Sequence, residues 1–280
     1  MISPILNKSL PEPGESRRII FASSPALPVW IFRPSKEKNT KKVIIAVHGI
    51  SRNSIQQIKI YSLLAEEHGL WLLAPEFSEE NFSGYQRLAK DPLSPRSDLV
   101  LNRLLLAYRT ERNITDLKAH ICGYSGGAQF AHRYALLHPY NVASLTLVSA
   151  GWYTFPNHQQ RFPRGLNNWP LWLGTARLKE FLNIPIIVMV GNKDRARDSS
   201  LRTSVRLDQD QGVNRLQRAD TWVKAANHAK KQLHLPADIT LHRMPKQRHD
   251  FEKNASDSEM LARISKFWTT NKNRKTYENK

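Results

Sequence analysis

One cysteine, Cys122, stands in a chain of 280 residues. A lone thiol excludes an intrachain disulfide framework and any multi-cysteine metal site. A metal would have to rest on histidines and carboxylates alone, and neither a metal nor a cofactor is expected. No apolar run approaches the roughly 18 residues that cross a bilayer. The opening stretch MISPILNKSLPEPGESRR lacks the continuous apolar segment of a signal peptide, so a soluble, cytoplasmic protein with no membrane span is expected. Repeats and Gly/Ser/Pro-rich linkers are missing too, which favours one domain over 1–280. Acidic residues are scarce: 24 Asp and Glu face 42 Lys and Arg, a net charge of +18. Such a particle attracts anionic partners. The excess is spread along the chain, at Arg17–Arg18, Lys41–Lys42, Lys230–Lys231 and a basic tail over 271–280, without a basic-aromatic module of a nucleic-acid fold. Nonspecific association with polyanions is therefore expected, and specific nucleic-acid binding is not.

At 40% hydrophobic residues the chain can bury a large core. RRIIFA and PVWIFR flank a Ser23–Pro25 turn and predict an N-terminal hairpin. The runs VIIAVHG (43–49), LWLLAP (70–75), AHICGYS (119–125), ASLTLVSA (143–150), PIIVMVG (185–191) and DITLHRM (238–244) are short, apolar and closed by turn residues in most cases, as buried parallel strands are. Between them, 55–68, 97–110, 126–138, 177–182 and 214–232 carry helical periodicity. A final helix is predicted over 256–270, with Ser256 and Glu259 as a capping box. Strands alternating with helices predict an α/β protein: a mostly parallel sheet, an antiparallel N-terminal hairpin, and helices on both faces.

Gly123-Tyr124-Ser125-Gly126-Gly127 is a G-x-S-x-G between an apolar strand and a helix. A serine on so sharp a turn exposes its hydroxyl, and the positions two before and two after must be small because strand and helix nearly touch there. A nucleophilic serine also needs amide donors for the oxyanion. Gly126 offers one N–H, and Ile50, just past His48-Gly49, offers another. His48 itself reads as a packed, hydrogen-bonded histidine, since only the loop's amide is required. Cys122, inside the strand before the serine, reads as inert packing.

VHGI, GYSGG, VGNKD and RHDF, in that order, resemble the α/β-hydrolase superfamily over roughly 17–270. GYSGGAQFAHRYALLHP followed by VSAGWYTFP resembles, more narrowly, bacterial polyhydroxybutyrate-depolymerase and feruloyl-esterase-like hydrolases. The resemblance implies an α/β-hydrolase fold with a short lid segment, and a triad in the chain order serine, acid, histidine. Carried over position by position, the nucleophile is Ser125, the acid is Asp194 directly after its strand, with Asp198 as rival, and the base is His249 on a loop after the last strand. Arg248 stands where a glycine is usual and is expected to constrain that loop or lower the imidazole pKa.

The resemblance also places 151–176 over the site as a lid-like insert. Its aromatics include Trp152, Tyr153 and Trp169, taken as substrate-binding residues, although core packing of some is equally open. Two functions follow. One is a serine hydrolase cleaving a small-molecule carboxylic ester through an acyl-enzyme, with Ser125, His249 and Asp194 as triad. The other is a non-enzymatic protein of the same fold that binds an anionic partner through its basic surface.

Overall fold

The apolar runs assemble into an eight-stranded sheet in a computed structural model that describes residues 10–236, 238–256 and 259–270. The strands are β1 (Ser16–Phe21), β2 (Leu27–Phe32), β3 (Lys42–Val47), β4 (Leu72–Pro75), β5 (Lys118–Tyr124), β6 (Val142–Val148), β7 (Ile186–Gly191) and β8 (Thr240–Met244). Their order is β1-β2-β4-β3-β5-β6-β7-β8. β1 and β2 form the antiparallel hairpin, β2 lies antiparallel to β4, and every pairing from β4 to β8 is parallel. Ser23 Oγ donates to Pro25 O at 2.8 Å within the hairpin turn.

Side chains alternate across a strand, and the parallel strands are apolar on both sides because both sides are covered. In β3, Val43, Ile45 and Val47 join one core while Ile44 and Ala46 join the other. The first core takes residues from α3 (Ser97–Glu111), α4 (Gly126–Leu137), α5 (Leu178–Asn183) and α7 (Arg215–Gln232). The second takes Ile58, Tyr61, Leu64 and Ala65 of α1 (Ser54–His68), together with Met260, Ile264 and Trp268 of α9 (Glu259–Thr270). The spacing of these last three, four residues each, is the one-face repeat of a helix. Among the described residues no helix is long and apolar enough to cross a membrane.

Three local features differ from the sequence reading. The polar stretch 192–212 carries a helix, α6 (Val205–Gln211). Its N-cap Ser204 accepts from Leu207 N, and its last residue, Gln211, is buried. A single apolar turn closed by a buried amide leaves no hydrophobic period to detect. A four-residue helix, α2 (Glu79–Phe82), is likewise too short to show one. The closing segment is two helices: α8 (Phe251–Ser256), with Asp250 Oδ1 accepting from Lys253 N at 3.1 Å, and then α9. Ser256, expected to cap one closing helix, is instead the last residue of α8, and the basic tail over 271–280 lies outside the described residues.

Candidate active site

β5 runs straight into α4 through Ser125, whose backbone is held at φ 52°, ψ −110°. That left-handed φ is costly for a residue with a Cβ. The neighbours explain why the chain accepts it. A Cβ on Gly123 would lie 2.4 Å from Gly127 O, and one on Gly127 would lie 2.0 Å from Val47 O. Helix, strand and the adjacent strand meet backbone to backbone, so both positions must be glycine. Ser125 N donates to Val148 O at 2.8 Å, and Ser125 O accepts from Gln129 N at 3.2 Å, fastening the turn at both sides.

The loop after β3 borders this turn. A Cβ on Gly126 would lie 3.1 Å from Ile50 Cγ2 and 2.6 Å from the Tyr85 hydroxyl, and one on Gly49 would lie 3.4 Å from Ser125 Cβ. Gly49, Ile50, Ser125 and Gly126 are thus brought together. His48 is buried behind them. Its Nε2 accepts from Phe77 N at 2.9 Å, and its Nδ1 lies 2.8 Å from Gly49 O, so the ring is the neutral Nδ1–H tautomer. Burial pushes its pKa down to about 4. Tyr85 Oη donates to His48 O at 2.9 Å, fixing the loop's carbonyl.

Asp194 lies in the turn after β7 and His249 on the loop after β8. Asn192 N donates to Met244 O and Lys193 N to Gln247 O, at 2.9 and 3.0 Å, binding the two loops edge to edge. His249 Nδ1 donates to Asp194 Oδ2 at 3.0 Å, which leaves Nε2 with a free lone pair. The His249 ring stacks on Tyr124, the residue before Ser125, with centroids 5.1 Å apart and planes at 22°. Arg248 O accepts from Asp250 N and Asn254 Nδ2, both at 3.0 Å, which anchors the histidine's loop to α8.

Asp198 is held elsewhere. It is half-exposed, its Oδ1 accepts from Ser200 N, and it lies 3.5 Å from Arg215 Nη2. Arg215 is a residue that sequence reasoning missed. It is fully buried at the start of α7, with Nη1 3.4 Å from Asp194 Oδ1 and Nη2 donating to Ser200 Oγ at 2.6 Å. An arginine at the start of a polar helix carries no sequence mark that it points inward. Tyr124 was equally hidden, as the variable position inside the motif.

The aromatics of 151–176 divide. Trp152 lies under Arg133, whose Cζ is 4.2 Å from the ring centroid. Tyr153 has no exposed surface with which to meet a substrate: it stacks on Trp222 at 4.9 Å, and its backbone is bonded both ways by the Gln211 amide. This ring packs the core because α6 and α7 close over it. Trp169 packs edge-on to Phe162 at 4.8 Å and donates to Gly174 O at 2.8 Å. Trp222 Nε1 donates to Thr154 O and Arg218 Nη1 to Gly151 O, so α7 pins the start of the segment. Cys122 is buried, and burial pushes its thiol up to about 12, far from a reactive thiolate. Among the described residues no group of three or more His, Cys, Asp or Glu could hold a metal ion.

Solved structures share this arrangement of sheet, helices and loops over nearly the whole chain. A poly(3-hydroxybutyrate) depolymerase from Bordetella parapertussis superposes with a TM-score of 0.77 at 22% identity, covering 95% of this chain and 93% of its own. The chain has the α/β-hydrolase fold. Within that fold, poly(aspartic acid) hydrolase-1 from Sphingomonas sp. KT-1 is also similar at a TM-score of 0.77 and 22% identity, covering 91% and 99% of the two chains. An S-formylglutathione hydrolase from Agrobacterium tumefaciens is similar at 0.58 and 13%, covering 93% and 97%. No protein-family model matches the sequence, and no curated protein matches it. In this chain the turn after β5 lies beside the loop that follows β3 and packs against His249 of the loop that follows β8, which is bonded in turn to Asp194 after β7.

Proposed function

We propose that the protein is a serine hydrolase that cleaves a carboxylic ester. The observation that carries this reading is the His249–Asp194 hydrogen bond, made by loops that also pack His249 against the residue preceding Ser125. A buried carboxylate on Nδ1 and a free Nε2 are what a general base for a serine hydroxyl needs. A structural ion pair would have no use for the strained serine beside it.

In this reading Ser125 Oγ attacks the ester carbonyl while its proton passes to His249 Nε2. The amides of Ile50 and Gly126 donate to the oxyanion of the tetrahedral intermediate. Collapse expels the alcohol, which takes the proton from His249, and leaves Ser125 acylated. Water, deprotonated by His249, then attacks the acyl carbonyl; the acid is released and Ser125 regains its proton. Asp194 fixes the tautomer of His249 and stabilises its charged form, and Arg215 positions Asp194. Trp152 and Trp169 line the acyl or alcohol side, with 151–176 as a roof. The similar structures, a poly(3-hydroxybutyrate) depolymerase and an S-formylglutathione hydrolase among them, support acyl transfer to water as the reaction class.

The reading is tested with a fluorophosphonate probe and with p-nitrophenyl acetate. Wild type is expected to be labelled stoichiometrically and to hydrolyse the ester, and Ser125→Ala to do neither while keeping its circular dichroism. Labelling of both proteins, or of neither with no turnover, would overturn it.

A further inference from the structure

Arg133 is fully buried on α4 and has no carboxylate partner. Its Nε donates to Thr154 Oγ1 at 2.8 Å and its Nη1 to the carbonyls of Gln86 and Gln129, while its Nη2 has no hydrogen-bond partner. All its acceptors are neutral. Two more guanidiniums stand close: Arg87, half-buried in the turn Tyr85–Arg87, and exposed Arg202, whose Cζ is 5.9 Å from the Trp152 ring that Arg133 also covers. Among the described residues none of the three forms an ion pair. Burial, then Arg87, then Arg202 lower the proton affinity of Arg133, and no acid opposes them. Burying a cation without a counter-ion is unfavourable, and the adjacent Trp152 face offsets only part of that. Three guanidiniums without a carboxylate partner at one place make a locally electropositive surface, of the kind that favours a negatively charged ligand group.

The cluster is tied to the helix and loop that border Ser125: Arg133 is on α4, and its Nη1 donates to Gln86 O. Ser125, Gln129 and Arg133 follow at i, i+4 and i+8, one stripe of α4, which separates the backbone of Arg133 from that of Ser125 by about 12 Å along the axis. Helical side chains lean toward the N-terminus, which brings the guanidinium back toward Ser125. Gln86, beside Arg87, lies against Gly126: a Cβ there would be 3.3 Å from Gln86 Cγ.

We propose that Arg87, Arg133 and Arg202, against Trp152, bind a carboxylate on the substrate, so that the enzyme prefers monoesters of dicarboxylic acids to neutral esters. This rests on the serine-hydrolase reading above. Arg87 and Arg202 supply the accessible donors, and Arg133 adds its uncompensated charge from beneath. A guanidinium pair grips a carboxylate through parallel N–H···O bonds. The ester carbonyl then lies at a fixed chain length from the carboxylate.

The test compares initial hydrolysis rates of monoethyl esters of the C4 to C10 straight-chain dicarboxylic acids with those of the matching diethyl esters. The best monoester is expected to exceed its diester in kcat/KM by about tenfold or more, with one optimal chain length. Arg87→Gln and Arg202→Gln should each cut that ratio by roughly tenfold, chiefly through KM, whereas Arg109→Gln, an exposed change of equal charge on α3, should leave it intact. Diester hydrolysis without a monoester preference, or a preference that survives both substitutions, overturns the subsite and leaves the serine mechanism standing. If no ester is cleaved, the serine-hydrolase reading fails instead, and the subsite is judged by binding: saturable perturbation of Trp152 fluorescence by adipate, absent in Trp152→Phe and weakened in Arg202→Gln, supports it, and no response, or response to phosphate alone, overturns it.

Discussion

Asp194 and Asp198 both lie near Arg215, and Asp194 is the one bonded to a histidine. Asp194→Asn is expected to lower kcat/KM for p-nitrophenyl acetate by about 10⁴-fold, because an amide in place of the carboxylate favours the wrong imidazole tautomer. Asp198→Asn, which removes a half-exposed carboxylate bonded to Ser200 and Arg215, is expected to stay within a few-fold of wild type. Steady-state kinetics on the two purified variants checks this, and a dead Asp198→Asn beside an active Asp194→Asn would reverse the assignment. At this scale the sequence was legible where chemistry imposes residue type on spacing. Gly123 and Gly127 are demanded by a backbone approach, and they mark Ser125; the resemblance to the α/β-hydrolase superfamily, and not spacing alone, then points to Asp194, with Asp198 as rival, and to His249. Arg215, Tyr124 and Arg133 were not legible. Whether an arginine in a helix faces water or the interior depends on what packs across from it, and local sequence does not record that.

At the scale of elements, the start of α3 is clamped to the end of α4 by a buried carboxylate. Arg96 donates to both oxygens of Asp98, at 2.7 and 2.6 Å, and His138 Nε2 lies 2.8 Å from Oδ2. Arg96 also donates to Trp172 O and Leu173 O, so the same clamp holds the far end of the 151–176 segment. Burial pushes the Asp98 pKa up, but hydrogen bonds and charge from His138 and Arg96 outweigh it and hold the carboxyl below its ordinary 3.8. A value lowered by folding contributes stability in full above the unfolded-chain value and loses it as pH falls through the folded one. Asp98→Asn should therefore cost about 3 kcal/mol at neutral pH, and the gap to wild type should narrow below pH 3.8. Urea unfolding from pH 7 down to pH 3 reads both, and a gap that is absent at pH 7 or constant throughout would contradict the clamp. Elements were readable where burial is apolar and periodic, as in β3 or the Met260, Ile264, Trp268 stripe of α9. They were unreadable where burial is polar. α6 ends on Gln211, whose amide serves the Tyr153 backbone, and this buried hydrogen bonding looks in sequence like a loop.

For the whole molecule, the excess of 42 cationic over 24 anionic side chains has a spatial counterpart. Many acids are already engaged by arginines, as Glu37, Asp98, Asp194, Asp208 and Asp220 are, so the surplus cations are left to act on the surroundings. Such a field should draw in polyanions without selecting among them. Each phosphate or sulfate contact releases a counterion, so the logarithm of the affinity should fall linearly with that of the salt concentration. Heparin and duplex DNA of unrelated sequences are expected to bind with similar slopes, and to lose 10-fold or more in affinity between about 50 and 200 mM salt if at least two contacts are made. Hydrolysis of a neutral ester should change little over the same range, because the Debye length shrinks only from about 14 to 7 Å and a neutral substrate offers the field no charge to act on. Fluorescence anisotropy with labelled heparin and DNA, run beside p-nitrophenyl acetate turnover on one preparation, separates surface from site. Tight, salt-insensitive and sequence-selective DNA binding, with no ester turnover at any salt, would mean that the charge serves recognition and that the strained serine serves nothing catalytic.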